Sequence, residues 1–228
     1  MDPDDAMDNI IEALELDPDC IEAFEFLGNL GDSMPISLAF YEKGVALGDK
    51  QFGGKFLEEN KGHFWGMHET RSYMRCLQMT AEILGLMGKS EENIATYEKM
   101  IELNPSDNQG VRDQLGISLL MVGDLKKFKH YDQLFDFEDG TSSNFNRALA
   151  QYKNEGASPE TKKLMQIAIN SNGYVVAKLN SKKDVVSAPS SYVLGSKDEA
   201  TGYAFFAQDL WRNTKGALVW AKGFKKGK

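Results

Sequence analysis

The chain has 228 residues, 42% of them hydrophobic, with a mean hydropathy of -0.42 and a net charge of -8. That is enough to bury one or two cores, and no run of about 18 apolar residues is present to cross a membrane as a helix. Residues 1–60 hold 15 acidic side chains against 3 lysines, a net of -12, whereas residues 61–228 carry +4, so the acidic end would repel nucleic acid and anionic lipid.

The opening, MDPDDAMDNI, is acidic where a secretory leader is basic and then apolar, which predicts a cytoplasmic chain. Ala6, Ile10, Ala13 and the Asp17-Pro18 stop describe a helix with no partner before it. It is either a polar cap on a helical stack or the second half of a unit in a longer parent protein. Phe24, Leu27 and Gly28 then open a helix whose partner closes with YEKGVALG, Tyr41 to Gly48, and the pattern lapses from Gly48 to Thr70.

The most regular stretch is Met74 to Asp107. Ala81 is small enough for two antiparallel helices to touch, Gly88 makes the turn between them, Tyr97 packs back across the pair, and Pro105 cannot continue the second helix. A third pair follows in Val111, Leu115, Gly116 and Leu119, the Gly123-Asp124 turn, then Phe128, Tyr131 and Leu134. This order of small, aromatic and helix-stop residues resembles a tetratricopeptide repeat, whose period is about 34 residues.

Beyond it, Asn144 to Asn154 and Pro159 to Asn170 have helical spacing, with Ser158 as cap and Pro159 in the first turn. Leu179 to Leu194 loses the period and contains Pro189 among serines, which predicts a crossover or exposed loop. Ser196 to Trp211 is a helix with Ala200, Tyr203, Ala204, Ala207 and Trp211 on one face, suited to close an open stack. The expected fold is all-α: a tetratricopeptide-like superhelix over residues 1–140, its first repeat incomplete, and a helical C-terminal extension and cap over 141–228 with a loop near 180–195.

Chemistry is hard to assemble from these residues. His63 and His68 lie five apart, about 140° from one another on a helix, and His130 is distant, so no metal set is formed. Cys20 and Cys76 read as small buried hydrophobes in a reducing compartment, and on a helix Cys76 would stand about 12 Å from His68, too far for an activated thiol. No phosphate-binding glycine loop or nucleophile elbow is present, and Phe64, Trp65 and Tyr73 read as packing rather than a cofactor box. Lys222, Lys225, Lys226 and Lys228 read as a solubilising end, since no aromatic and basic residues alternate as base stacking requires. No catalytic residue, metal or cofactor is expected.

Two surfaces remain. First helices of such pairs line a groove, and the inward positions are Arg75, Gln78, Glu82 and Leu86, then Asp113, Ile117 and Leu120. Gln78 and Glu82 stand where a lysine and asparagine clamp for a peptide carboxylate would begin, so the groove suits an extended or helical peptide with basic and apolar side chains. The second surface is a polar edge between repeats, comprising Glu69, Arg71, Asp107, Asn108, Gln109 and Arg112, with Arg75 beside it. Either acids and guanidiniums pair there and cap helix starts, or Arg71 and Arg112 hold an anionic ligand.

The runs HFWG, ETRSYMR and NPSDNQGVR, with GSKDEATGYAFFAQDLWRNTKGAL from Gly195 to Leu218, look like blocks of the cytosolic bacterial tetratricopeptide proteins related to the suppressor of tumorigenicity seven family. The resemblance covers roughly residues 20–222 and implies a helical scaffold without an activity. It departs at Ser72, where that family has proline, and at Asn172-Gly173, where it has Asn-Pro.

Overall fold

The computed structural model describes residues 3–135 and 140–225, and every regular element among them is a helix. Two units emerge, residues 1–112 and 113–228.

In the first unit α1 spans Pro3–Leu16, α2 Ile21–Leu30, α3 Met34–Gln51, α4 Gly54–Asn60, α5 Arg71–Leu86 and α6 Ser90–Leu103. Helix α2 packs on α3, α3 on α5, and α5 on both α6 and α2. Two glycines let these helices approach: a Cβ on Gly28 would stand 2.4 Å from the Tyr41 ring, and one on Gly48 would stand 2.0 Å from that of Tyr73.

Ala81 and Tyr97 are buried where the pattern places them, and the Asn93 amide on α6 donates to the Ala81 carbonyl at 2.6 Å. Gly88, at φ +75°, reverses the chain between α5 and α6. Its N–H meets the Gly85 carbonyl and the Lys89 N–H meets that of Leu84, which satisfies carbonyls at the end of α5. The stretch where the repeat pattern lapses is not empty. It holds α4 and an aromatic cluster in which Phe52, Phe64 and Tyr73 are buried with ring centroids 5.8–6.2 Å apart.

The second unit comprises α7 Arg112–Val122, whose first residue closes the first unit, α8 Leu125–Leu134, α9 Thr141–Glu155, α10 Pro159–Ser171, α11 Val175–Leu179, α12 Lys197–Asn213 and α13 Ala217–Ala221. Helices α9 and α10 form an antiparallel pair, its turn set by Gly156 and the Ser158 cap that accepts from the Thr161 N–H. Gly123 repeats the Gly88 reversal between α7 and α8, with Asp124 N–H on the Leu119 carbonyl. The expected face of α12, Ala200, Tyr203, Ala204, Ala207 and Trp211, is buried, and this helix packs on α9 and α11.

A buried polar chain crosses the second unit. Trp211 Nε1 donates to the Tyr203 hydroxyl at 2.9 Å, that hydroxyl donates to Asn146 Oδ1 at 3.1 Å, and Asn146 Nδ2 donates to the Asp113 carbonyl at 3.1 Å. Each buried polar atom in it thereby gains a partner, and α7, α9 and α12 are joined by the same three side chains.

Candidate functional site

The face of the first unit that carries unusual chemistry lies where α2 and α5 meet. On α5, Arg75, Gln78, Glu82 and Leu86 recur at helical spacing, and Leu86 is exposed at the far end. On α2, Glu22, Glu25, Phe26 and Asn29 do the same, with Phe26 exposed.

Arg75 joins the two helices. Its guanidinium grips Glu25 in a fork, Nε to Oε1 at 2.6 Å and Nη2 to Oε2 at 2.7 Å, while Nη2 also donates to Ser72 Oγ at 3.1 Å and lies 3.8 Å from Glu22. A planar guanidinium is the group that can satisfy both carboxylate oxygens at once. The adjacent layer is neutral on one side only: Gln109 donates to Gln78 Oε1 at 2.9 Å and to the Met74 carbonyl at 3.3 Å, and Gln78 donates to Glu82 Oε1 at 3.0 Å.

Glu82 is the exceptional residue of this face. Burial raises its carboxyl pKa, and the Gln78 hydrogen bond pulls only weakly the other way. A carboxylate held largely out of water against a neutral amide is a seat for a cationic group. Sequence reasoning found Glu82 but not Glu22 and Glu25, although their spacing on α2, with an aromatic beside them, is the signal that marks a presented helix face.

The other expected residues fall differently. Asp113 accepts from Ser143 Oγ at 2.8 Å and thus serves the packing of α7 on α9. Ile117 and Leu120, expected along the groove, are buried at 4% and 0% exposure and offer no surface to a partner. From Leu115 onward α7 reads LGISLLMV, with Ser118 its one polar side chain, so periodicity there does not point to one inward face.

At the polar edge Asp107 and Arg112 come together, whereas Arg71 turns elsewhere. Asp107, buried at φ +46°, accepts from the N–H groups of Val111 and Arg112 at 2.8 and 3.1 Å and from Arg112 Nη1 at 3.2 Å, so one carboxylate caps the start of α7. Arg71 instead donates from Nε to the Trp65 carbonyl at 3.2 Å and lies 5.8 Å over the Trp65 ring. Among the described residues neither Arg71 nor Glu69 enters an ion pair, and Asn108 is exposed.

Other chemistry finds no footing on this face. Cys76 is buried beneath it, and that burial pushes its thiol up to about 12, far above a nucleophile's range. Cys20 precedes α2 without a capping side-chain bond and is half-buried, unlike the buried hydrophobe expected. Among the described residues no three His, Cys, Asp or Glu side chains converge as metal ligands, and no helix is long and apolar enough to cross a membrane. Compared with family models, with curated proteins and with solved structures, the chain matches none.

Proposed function

We propose that this protein is a non-catalytic interaction scaffold, a tetratricopeptide-like helical superhelix that holds a partner protein or peptide in a groove, in the cytoplasm and without nucleic acid or membrane. The matching reversals at Gly88 and Gly123 support the repeat reading, as does the packing of α2 against α5, the first helices of two successive pairs. The residue blocks similar to the suppressor of tumorigenicity seven family point the same way.

Glu82 carries the reading of what is bound. Its carboxylate is largely desolvated and, among the described residues, is hydrogen-bonded by Gln78, so a lysine or arginine from a partner would gain a charge-assisted hydrogen bond there. Exposed Phe26 on α2 and Leu86, one turn beyond Glu82 on α5, offer apolar contact on the same two helices. The alternative, an accessory domain that takes an anionic small ligand at the Arg71/Arg112 edge, has less support, because one guanidinium is spent on Trp65 and the other on Asp107.

Selection of a random twelve-residue peptide library on the full chain tests this. Enriched peptides should carry a basic residue beside aliphatic ones, and Glu82→Lys should weaken them at least tenfold while circular dichroism stays unchanged. Acidic consensus peptides, or binding indifferent to Glu82→Lys, would overturn it.

A further inference from the structure

The segment between α11 and α12 is irregular, yet it follows a definite course along α12. Asp184 Oδ1 accepts from Arg212 Nη1 at 2.6 Å, Val185 is held by Gln208, and Pro189 comes within 3.8 Å of where a Cβ on Gly202 would stand. Farther on, the Tyr192 phenol is raised by partial burial and by the nearby carboxylates of Glu199 and Asp113. As the segment advances in number its partners on α12 fall, so the two run antiparallel. Arg212 and Gly202 are separated by about 15 Å of helix rise, and five residues of extended chain reach about 17 Å. The segment therefore has chain enough to follow α12 in an open, non-helical course.

The manner of attachment is the informative part. Gln208 Nε2 donates to the Val185 carbonyl at 2.9 Å while Gln208 Oε1 accepts from the Val185 N–H at 3.0 Å. One side-chain amide thus reads both backbone groups of one residue, as a strand would, and is blind to that residue's side chain. Val186, Val193 and Leu194 are 84%, 76% and 79% exposed. Apolar burial does not hold this segment down; a few polar contacts do, and another chain could make the same contacts.

We propose that the surface of α12 is a peptide-binding site, filled here by the chain's own Asp184–Tyr192, and that it accepts in trans an extended partner peptide of the same chemistry. That peptide presents a carboxylate to Arg212, an unpaired backbone amide to Gln208, and a proline or small residue over Gly202. The inference deepens the scaffold reading and rests on it for the role of the bound peptide, but it concerns different residues from the Glu82 face.

The test uses a fluorescent peptide with the sequence DVVSAPSSYVL, residues 184–194, which lacks the basic residues that suit Glu82, and anisotropy with two forms of the full chain. In one form residues 183–193 are replaced by a glycine-serine linker of equal length. A tethered segment competes at high effective concentration, so the linker form should bind the peptide at least tenfold more tightly than the parent. Adding Gln208→Ala and Arg212→Ala to the linker form should weaken binding at least tenfold. A folded linker form that binds no peptide, or one indifferent to Gln208 and Arg212, would overturn the proposal. If that form does not fold, Asp184→Lys in the intact chain, which sets a cation against Arg212, should raise peptide binding over the parent, and no rise would equally overturn it. Glu82→Lys separates the two readings: it should leave this peptide's binding unchanged while abolishing that of peptides selected on the α2 and α5 face.

Discussion

Glu82 sets a pH dependence whose sign follows from its burial. Folding raises its pKa through burial, so the protonated form favours the folded state. Its contribution to stability is complete below the unfolded value of about 4.3 and is lost as pH rises through the folded value. Glu82→Gln should consequently raise the urea midpoint at pH 7, and the gain should vanish as pH falls towards 4. Equal midpoints for variant and parent at pH 7 would show that the carboxylate is well solvated. Asp107 predicts the opposite direction: its carboxylate satisfies two backbone N–H groups and Arg112, so Asp107→Ala should cost about 1–2 kcal/mol in chemical denaturation. Asp107→Asn, which tolerates the left-handed backbone and keeps an acceptor, should cost less. Ala81 is the third test at this scale. It is fully buried against α6, and Ala81→Trp should lose about 1–3 kcal/mol where the exposed Lys89→Ala loses almost nothing.

At the scale of elements, the tie between α9 and α12 depends on one hydroxyl. Tyr203→Phe removes the partner of both Trp211 Nε1 and Asn146 Oδ1, each buried, and should cost about 1–3 kcal/mol. A thermal midpoint equal to the parent's would mean that the chain of three side chains is not stabilising. Helices were largely legible in the sequence because their signals are local. Gly88 and Pro105 bracket α6, Ser158-Pro159 opens α10, and the alanine face of α12 is written at helical spacing. What escaped is non-local or aperiodic. Arg75 was visible as a face residue, but its partner Glu25 lies 50 positions away and no spacing rule joins them. Helix α4 is seven residues long and starts without a side-chain cap, so it left no signature in the lapsed stretch. The segment before α12 was legible as irregular, yet its course was not, because Gln208 recognises backbone atoms that are the same in every sequence. The burial of Ile117 and Leu120 was not legible for the converse reason, since from Leu115 onward α7 is apolar but for Ser118.

For the whole molecule, charge and site agree. The acidic side chains crowd into residues 1–60, the region that includes α2 and its Glu22 and Glu25, and Glu82 lies on α5, the helix that packs on α2. Such a field speeds the approach of a basic partner and is screened by salt. Association rates for a lysine-bearing peptide should therefore fall several-fold between about 20 and 200 mM salt in stopped-flow measurements, whereas the dissociation rate changes little. A rate independent of salt would place the binding surface elsewhere.

A partner peptide is expected to lie across α2 and α5 with a basic side chain at Glu82. Hydrogen exchange read by mass spectrometry, on the full chain with and without a saturating library-selected peptide, tests it most directly. Bound peptide should slow exchange within Ile21–Leu30, within Arg71–Leu86 and around Gln109, and the effect should disappear in Glu82→Lys. Slowed exchange confined to the second unit, or a footprint on α2 and α5 that survives Glu82→Lys, would contradict the account.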